Sequence, residues 1–232
     1  MGTWVEVEPL VTVVEGVQIA CLTVGAYLFG AIPVGWLVCR VGFGVDIFQH
    51  GSGRSGTTNV YRTAGKGAAI IVFCGDLLKG FVPALLARVL VAEFQLVPVM
   101  VAVLATVGHN WSVFIGLRGG RGVATSWGSV MALVPAAALV GIPLGLFTVV
   151  IGRYVSLASL AGAVGFLIGG IIFYALGFGV DGFGVALIAG FVIFLFSQHL
   201  DNLQRLIAGN ERRLAPWTDM SGSRDSSDHG SS

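Results

Sequence analysis

The sequence predicts an all-α integral membrane protein of about seven transmembrane helices, with its N-terminus outside, its C-terminus in the cytoplasm and its motif loops on the cytoplasmic side. Three observations carry this. The 232-residue chain is 55% hydrophobic and only 11% charged, whereas soluble domains average about 25% charged residues, so it could not cover a water-facing surface. Its apolar runs approach the roughly 17–25 residues that cross a ~30 Å hydrocarbon core. Lys and Arg fall in every second connection between runs, as cytoplasmic loops require.

The elements follow in order. Before the first run, residues 17–41, stand Glu6, Glu8 and Glu15 with no Lys or Arg. The N-terminus is therefore placed outside, and it lacks the basic region of a cleavable leader. The next connection carries Arg40, Arg54, Arg62 and Lys66 and lies inside. Run 68–91 returns outward to a short link with only Glu93, and run 94–107 comes back to Arg118 and Arg121. Run 123–134 meets the uncharged turn at Pro135, run 135–151 leads to Arg153, run 157–176 to the link at Asp181, and run 185–200 to Arg205, Arg212 and Arg213. The third and fourth runs are short at ~1.5 Å per residue, as half-helices lining a polar cavity would be. Merging the fourth and fifth would place Arg153 and the tail outside, so seven spans are preferred.

Three parts result: an extracytoplasmic segment 1–16, a membrane domain 17–213, and a Ser-, Asp- and Gly-rich tail 214–232 expected to be disordered. The net charge of +1 gives no nucleic-acid footprint. Cys21, Cys39 and Cys74 lie in apolar runs with neither zinc nor disulfide spacing and are expected to be buried packing thiols.

Two glycine-rich strings interrupt the apolar pattern. The first is Gly51-Ser52-Gly53-Arg54-Ser55-Gly56-Thr57-Thr58-Asn59. It formally contains the dinucleotide-binding glycine spacing but has no preceding strand, and Thr57 stands where a phosphate-loop lysine would be. The physics that remains is anion binding: glycines let successive N–H groups converge, the hydroxyls add donors, and Arg54 and Arg62 add charge. The second is Arg118-Gly119-Gly120-Arg121-Gly122, preceded by His109 and Asn110 and followed by a Thr- and Ser-bearing helix. Paired arginines can fork onto a phosphate, and the next helix start points N–H groups the same way. The bland reading of the first string is a Gly-rich cytoplasmic turn, and the second alone would be an ordinary inside-facing anchor. His109 fits a catalytic histidine or a satisfied structural one. Asp76 and Lys79, three apart in an apolar run, share a helical face and are either a structural ion pair or an intramembrane functional pair. Ser156 opens a later helix and reads as an N-cap or a ligand. His199 and Asn202 share a face at the last span's end.

The ordered set resembles the bacterial acyl-phosphate:glycerol-3-phosphate acyltransferases, the PlsY family. It comprises the first string through Arg62, Gly108-His109-Asn110 through Thr125, Tyr154-Val155-Ser156-Leu157-Ala158-Ser159, and His199-Leu200-Asp201-Asn202-Leu203-Gln204-Arg205-Leu206 followed by Gly209-Asn210-Glu211. Gly30 to Gly35 and Asp76 to Gly80 match the same texture, and the likeness spans roughly residues 20–213. The family commonly has Lys where Arg118 and Arg121 stand, Asn at Arg54 and Ala at Thr57.

The resemblance implies transfer of a fatty acyl group from acyl phosphate to the 1-hydroxyl of sn-glycerol 3-phosphate, giving 1-acylglycerol 3-phosphate and phosphate. It implies a multi-pass protein of the bacterial inner (plasma) membrane with its active site facing the cytoplasm, no cofactor and no metal. The partners are the two substrates and the lipid bilayer, with a monomer as the working expectation and the oligomeric state left open by the sequence. Ser52, Gly53, Arg54, Gly56, Thr57, Thr58 and Asn59 are assigned to acyl phosphate. Arg62, Arg118, Ser156, His199 and Asn202 are assigned to glycerol 3-phosphate, with Arg121 a weaker candidate. The catalytic set is Ser52, Thr58, Asn59 and His199; Asp76, Lys79, His109 and Asn110 are structural or possible site residues. The alternative reading is a membrane transporter or channel for a phosphorylated small solute.

Overall fold

The computed structural model describes residues 12–214, so the expectations for segment 1–11 and for 215–232 lie outside the described residues. Among the described residues nine α-helices run in sequence and there is no named strand. They are α1 (Val13–Ala31), α2 (Val34–Phe43), α3 (Thr57–Leu90), α4 (Leu96–Asn110), α5 (Val123–Leu133), α6 (Pro135–Gly152), α7 (Val155–Ala175), α8 (Gly182–Gln198) and α9 (Leu200–Ile207). The all-helical membrane architecture expected from composition is what the chain adopts. Among the described residues four helical stretches can cross a bilayer by length and apolarity: Val13–Phe43, Thr57–Leu90, Pro135–Gly152 and Val155–Ala175. A fifth forms if α8 and α9, bent by 63° at their junction, count as one.

Several boundaries differ from the sequence reading. The first run breaks at Ile32–Pro33 into α1 and α2, because proline has no N–H to continue the ladder. The second begins at Thr57 rather than 68, so Asn59 and Arg62 are helical; Gly65 at φ 83° kinks it, a conformation glycine adopts without steric cost. The third and fourth are short as expected, 15 and 11 residues. Short α5 is held by its neighbours: Arg88 of α3 donates to the carbonyls of Ala132 and Leu133 at its C-terminus.

Small residues let the helices approach closely, as they do where lipid cannot drive association. Gly80 of α3 faces the Thr125 carbonyl of α5, where an added Cβ would lie 1.8 Å away. Gly141 and Gly162 seat Phe166 and Trp127, whose rings meet at 5.3 Å. The core joins Ala84, Ala102, Val130, Ala137, Phe166 and Ile188, while Val89, Leu139, Val150 and Ile193 are exposed outward, as a lipid-facing surface requires. Of the expected packing thiols only Cys39 is buried; Cys21 and Cys74 are exposed on the helix exteriors, where lipid makes apolar exposure harmless and burial unnecessary.

The chain order brings four connections to one end of the bundle: residues 44–56, 111–122, 153–154 and 199–214. They touch through Ser55 N–H to the Gly119 carbonyl at 3.3 Å, Arg54 to the Gly120 carbonyl at 3.1 Å, Arg121 to Asn202 and Leu214 N–H to the Arg153 carbonyl at 2.8 Å.

Candidate functional site

The first glycine string folds around one side chain. The Asn59 amide donates to the carbonyls of Ile47, His50 and Arg54 at 3.2, 2.9 and 2.8 Å and accepts from the Ser52 N–H at 3.1 Å. Asn59 is buried, and this network spends its amide on shaping the loop. Gly51 and Gly53 take left-handed φ of 60° and 64°, and a Cβ on Gly51 would lie 2.0 Å from Asn59 Oδ1. The turn ends at Gly56, the N-cap of α3, with no side-chain cap. The first-turn N–H groups carrying Thr57 and Thr58 therefore favour an anion, next to the exposed Ser52 and half-buried Arg54.

The second string is docked from beneath. His109 is buried at the end of α4; its carbonyl accepts from the Gly120 N–H at 3.2 Å, and its Nε2 lies where a Gly120 Cβ would stand, 2.0 Å away. Two adjacent glycines are thus a packing requirement. Gly120→Ala is expected to displace Arg121 and lower kcat/KM by about 10²-fold, the scale of a ~1 Å misplacement, with the fold retained; saturation kinetics alongside a detergent melting curve check it. Gly122, at φ 81°, is the N-cap of α5, again without a side-chain cap. Asn110 is buried beside it with no hydrogen-bond partner on Oδ1 or Nδ2 among the described residues.

Beneath these loops the two intramembrane ionisable residues are joined. Lys79 Nζ sits 2.8 Å from Asp76 Oδ1, 2.7 Å from the Ile32 carbonyl and 3.3 Å from His109 Nδ1. The Asp76 carbonyl accepts from Thr125 Oγ1 at 2.9 Å. All of these partners come from the helices that carry the two glycine strings or the break before them. The group fixes how α1, α3, α4 and α5 meet.

The third part of the site comes from the two late loops. The structure corrects the capping option for Ser156: Tyr154 is the N-cap of α7 and makes no side-chain cap bond, while Ser156 Oγ donates to Glu211 Oε1. Asn202 Nδ2 donates to the same oxygen at 2.7 Å, and Arg205 Nε to Oε2 at 2.8 Å. Burial opposes the charge on Glu211, but the hydrogen bonds from Asn202, Arg205 and Ser156 outweigh it and hold the carboxyl below its usual range. Arg121 reaches this group through the Asn202 amide oxygen and Asp201 Oδ2, the latter at 2.7 Å. His199 is buried at the α8–α9 bend, and its Nδ1 meets the Leu195 carbonyl at 2.8 Å. A carbonyl only accepts, so Nδ1 carries the proton and Nε2 is the neutral ring's acceptor.

The structure thus gathers Arg54, Arg121, Ser156, His199 and Asn202, with Arg62 alongside; Arg62 donates to the Arg212 carbonyl at 3.4 Å and interacts electrostatically with Glu211 and Arg205. It does not bring Arg118 into the cluster. The Arg118 guanidinium lies over the Phe48 ring, 5.0 Å from its centroid, and lines a separate depression of about 360 Å³ with Trp36 and Phe114. The sequence reading gave Arg118 precedence over Arg121; the geometry gives the shared position to Arg121. Glu211 falls in the last motif string, yet the sequence does not mark it as a site residue. A Glu beyond the last helix has no periodicity to mark it, and only the fold shows three donors converging on it.

Residues 20–209 match the family model described as glycerol-3-phosphate acyltransferase. A glycerol-3-phosphate acyltransferase of Thermus thermophilus is 43% identical over 190 residues, covering 82% of this chain and 92% of the relative. Glycerol-3-phosphate acyltransferase 1 of Deinococcus radiodurans is 40% identical over 189 residues, 82% and 92% of the two chains. The crystal structure of PlsY, an integral membrane glycerol 3-phosphate acyltransferase, in its glycerol 3-phosphate form superposes with a TM-score of 0.76 at 33% identity, covering 85% of this chain and 96% of that one. Its lysophosphatidic acid form superposes with a TM-score of 0.74.

Proposed function

The chain belongs to the glycerol-3-phosphate acyltransferase family, and on that premise we propose that it transfers a fatty acyl group from acyl phosphate to the 1-hydroxyl of sn-glycerol 3-phosphate. The products are 1-acylglycerol 3-phosphate and inorganic phosphate. At the coarser level it is a membrane acyltransferase of glycerol 3-phosphate. The observation that carries the finer reading is the meeting of two anion-suited loops at one end of the bundle, tied by Arg54 to Gly120. Two phosphates must be held side by side for the acyl group to pass between them.

In this reading the first loop holds acyl phosphate through Ser52, Arg54 and the open start of α3 with Thr57 and Thr58, shaped by Asn59. Arg62, Arg121, Ser156, His199 and Asn202 hold glycerol phosphate. The acyl chain lies against the apolar helices, where burial contributes about 0.8 kcal/mol per CH₂. An acyl phosphate is already activated, so the protein mainly positions the hydroxyl and stabilises the oxyanion, and a substrate phosphate oxygen takes the proton. His199 Nε2 accepts from the non-reacting 2-hydroxyl and so orients the glycerol with its 1-hydroxyl proton left for the phosphate oxygen; its Nδ1 has a carbonyl partner, not the carboxylate that would stabilise an imidazolium.

The same reading places the protein in a bacterial inner membrane as a monomer with seven passes, N-terminus out and the site in the cytoplasm. The collection of the basic loops at one end supports the one-sided placement of the site and disfavours a transporter, which would need binding groups at the midplane or both faces. Purified protein incubated with acyl phosphate and labelled glycerol 3-phosphate, with acyl-CoA and acyl carrier protein as parallel donors, tests the donor; product only from a thioester would overturn it.

His199→Gln is expected to raise KM for glycerol 3-phosphate while sparing most of kcat, since a lost positioning contact is recovered by substrate concentration. A kcat fall of about 10³-fold at unchanged KM, within the range of a true general base, would restore a histidine base, most clearly if imidazole rescued it.

A further inference from the structure

We propose that Glu211 is a specificity-determining residue: its carboxylate holds the donors that the glycerol phosphate needs, so an acceptor enters only by displacing it. The proposal rests on the assignment of Ser156 and Asn202 to glycerol phosphate made above. Three donors from two helices converge on the carboxylate. Ser156 Oγ and Asn202 Nδ2 share Oε1, at 2.9 and 2.7 Å, and Arg205 Nε takes Oε2 at 2.8 Å. The side chain is only 7% exposed, and Arg62 and Arg121 both feel its charge. This is the environment a phosphate oxygen requires: cations, a hydroxyl and an amide N–H.

Glu211 arrives on a short strap beyond α9. The strap turns at Gly209 (φ 72°), where the Asn210 N–H bonds the Arg205 carbonyl at 2.8 Å. Its far end is pinned where Leu214 N–H meets the Arg153 carbonyl at 2.8 Å, the Leu214 carbonyl accepts from the Arg153 guanidinium, and Arg213 Nε meets the Tyr154 hydroxyl at 2.8 Å. Because both ends of the strap are anchored, Glu211 can swing out without unfolding α9 and return when the ligand leaves.

The chemistry of displacement selects the ligand. A monoanionic carboxylate offers two acceptor oxygens; a phosphomonoester near neutral pH is close to a dianion with three. The dianion therefore outcompetes Glu211 for the arginines, while glycerol, with no charge, and carboxylate solutes, with no more charge than Glu211, do not. Competition of this kind lowers apparent affinity by the fraction of molecules in which the donors are free.

The test uses the full chain in detergent. Glu211→Gln and Glu211→Ala are expected to bind inorganic phosphate roughly three- to tenfold tighter by calorimetry, with KM for glycerol 3-phosphate falling by a similar factor. Acetate separates displacement from mere loss of a negative charge. Millimolar acetate is expected to re-form the carboxylate contacts in Glu211→Ala and to inhibit it competitively against glycerol 3-phosphate, while leaving the unaltered protein insensitive. Weaker or unchanged phosphate binding in both variants, or no acetate effect in Glu211→Ala, overturns the proposal.

Should the variants fail to fold, the unaltered chain gives the answer. Phosphate is expected to speed tryptic cleavage after Arg212, which lies between the two anchors and moves out with Glu211, and protection or no change overturns the proposal. The site assignment beneath it fails separately: Arg121→Ala and Asn202→Ala would then bind phosphate as tightly as the unaltered protein.

Discussion

Arg121→Ala is expected to raise KM for glycerol 3-phosphate by roughly 10- to 150-fold, the equivalent of the ~1.5–3 kcal/mol carried by a hydrogen bond to a charged group. Arg118→Ala is expected to change it far less. Arg121 stands between the two loops, bonded to Asn202 and Asp201 and within electrostatic reach of Arg54. Burial pushes its guanidinium down from the ordinary arginine range, which leaves it charged at any physiological pH. Arg118 is spent on the Phe48 ring. The measurement is initial-rate kinetics varying each substrate in turn. If the two variants show equal defects, or if Arg118→Ala is the worse toward glycerol 3-phosphate, the assignment of the shared position to Arg121 is wrong.

Lys79→Met is expected to destabilise the protein by about 3–5 kcal/mol, the cost of breaking a buried pair from one side. Asp76 and Lys79 are 2% and 3% exposed, so removing the ammonium strands the carboxylate with only His109 nearby, 3.4 Å away, and orphans the Ile32 carbonyl. The double variant Asp76→Asn with Lys79→Met is expected to recover more than half of the loss, because no uncompensated charge remains. Melting temperature and yield in detergent read both. A double variant as unstable as the single would mean that side-chain packing, not charge, holds this junction.

The all-helical membrane class was legible in the sequence because the bilayer imposes it residue by residue. A chain with 11% charged residues has few alternatives to spanning helices, since each backbone polar group in lipid must be satisfied within its own segment. The candidate site was legible as pieces for a related reason. Glycine-rich and arginine-bearing strings are out of place in apolar sequence, so Arg54, Arg121, His199 and Asn202 each stood out locally.

What the local pattern could not convey is which pieces touch. Arg118 and Arg121 are chemically alike and three residues apart, yet one turns to Phe48 and the other to Asn202. That choice is made by the tight seating of Gly119 and Gly120 on His109, a contact between α4 and the following loop. Asn59 reads as a ligand in the sequence, and only the fold shows that its amide also organises its own loop. Glu211 acquires its place because α7 and α9 present Ser156, Asn202 and Arg205 to one point. Apolarity and charge are properties of each residue and can be read in order along the chain; the convergence of donors on a carboxylate depends on distances between residues up to 55 positions apart, and only helix packing sets those distances.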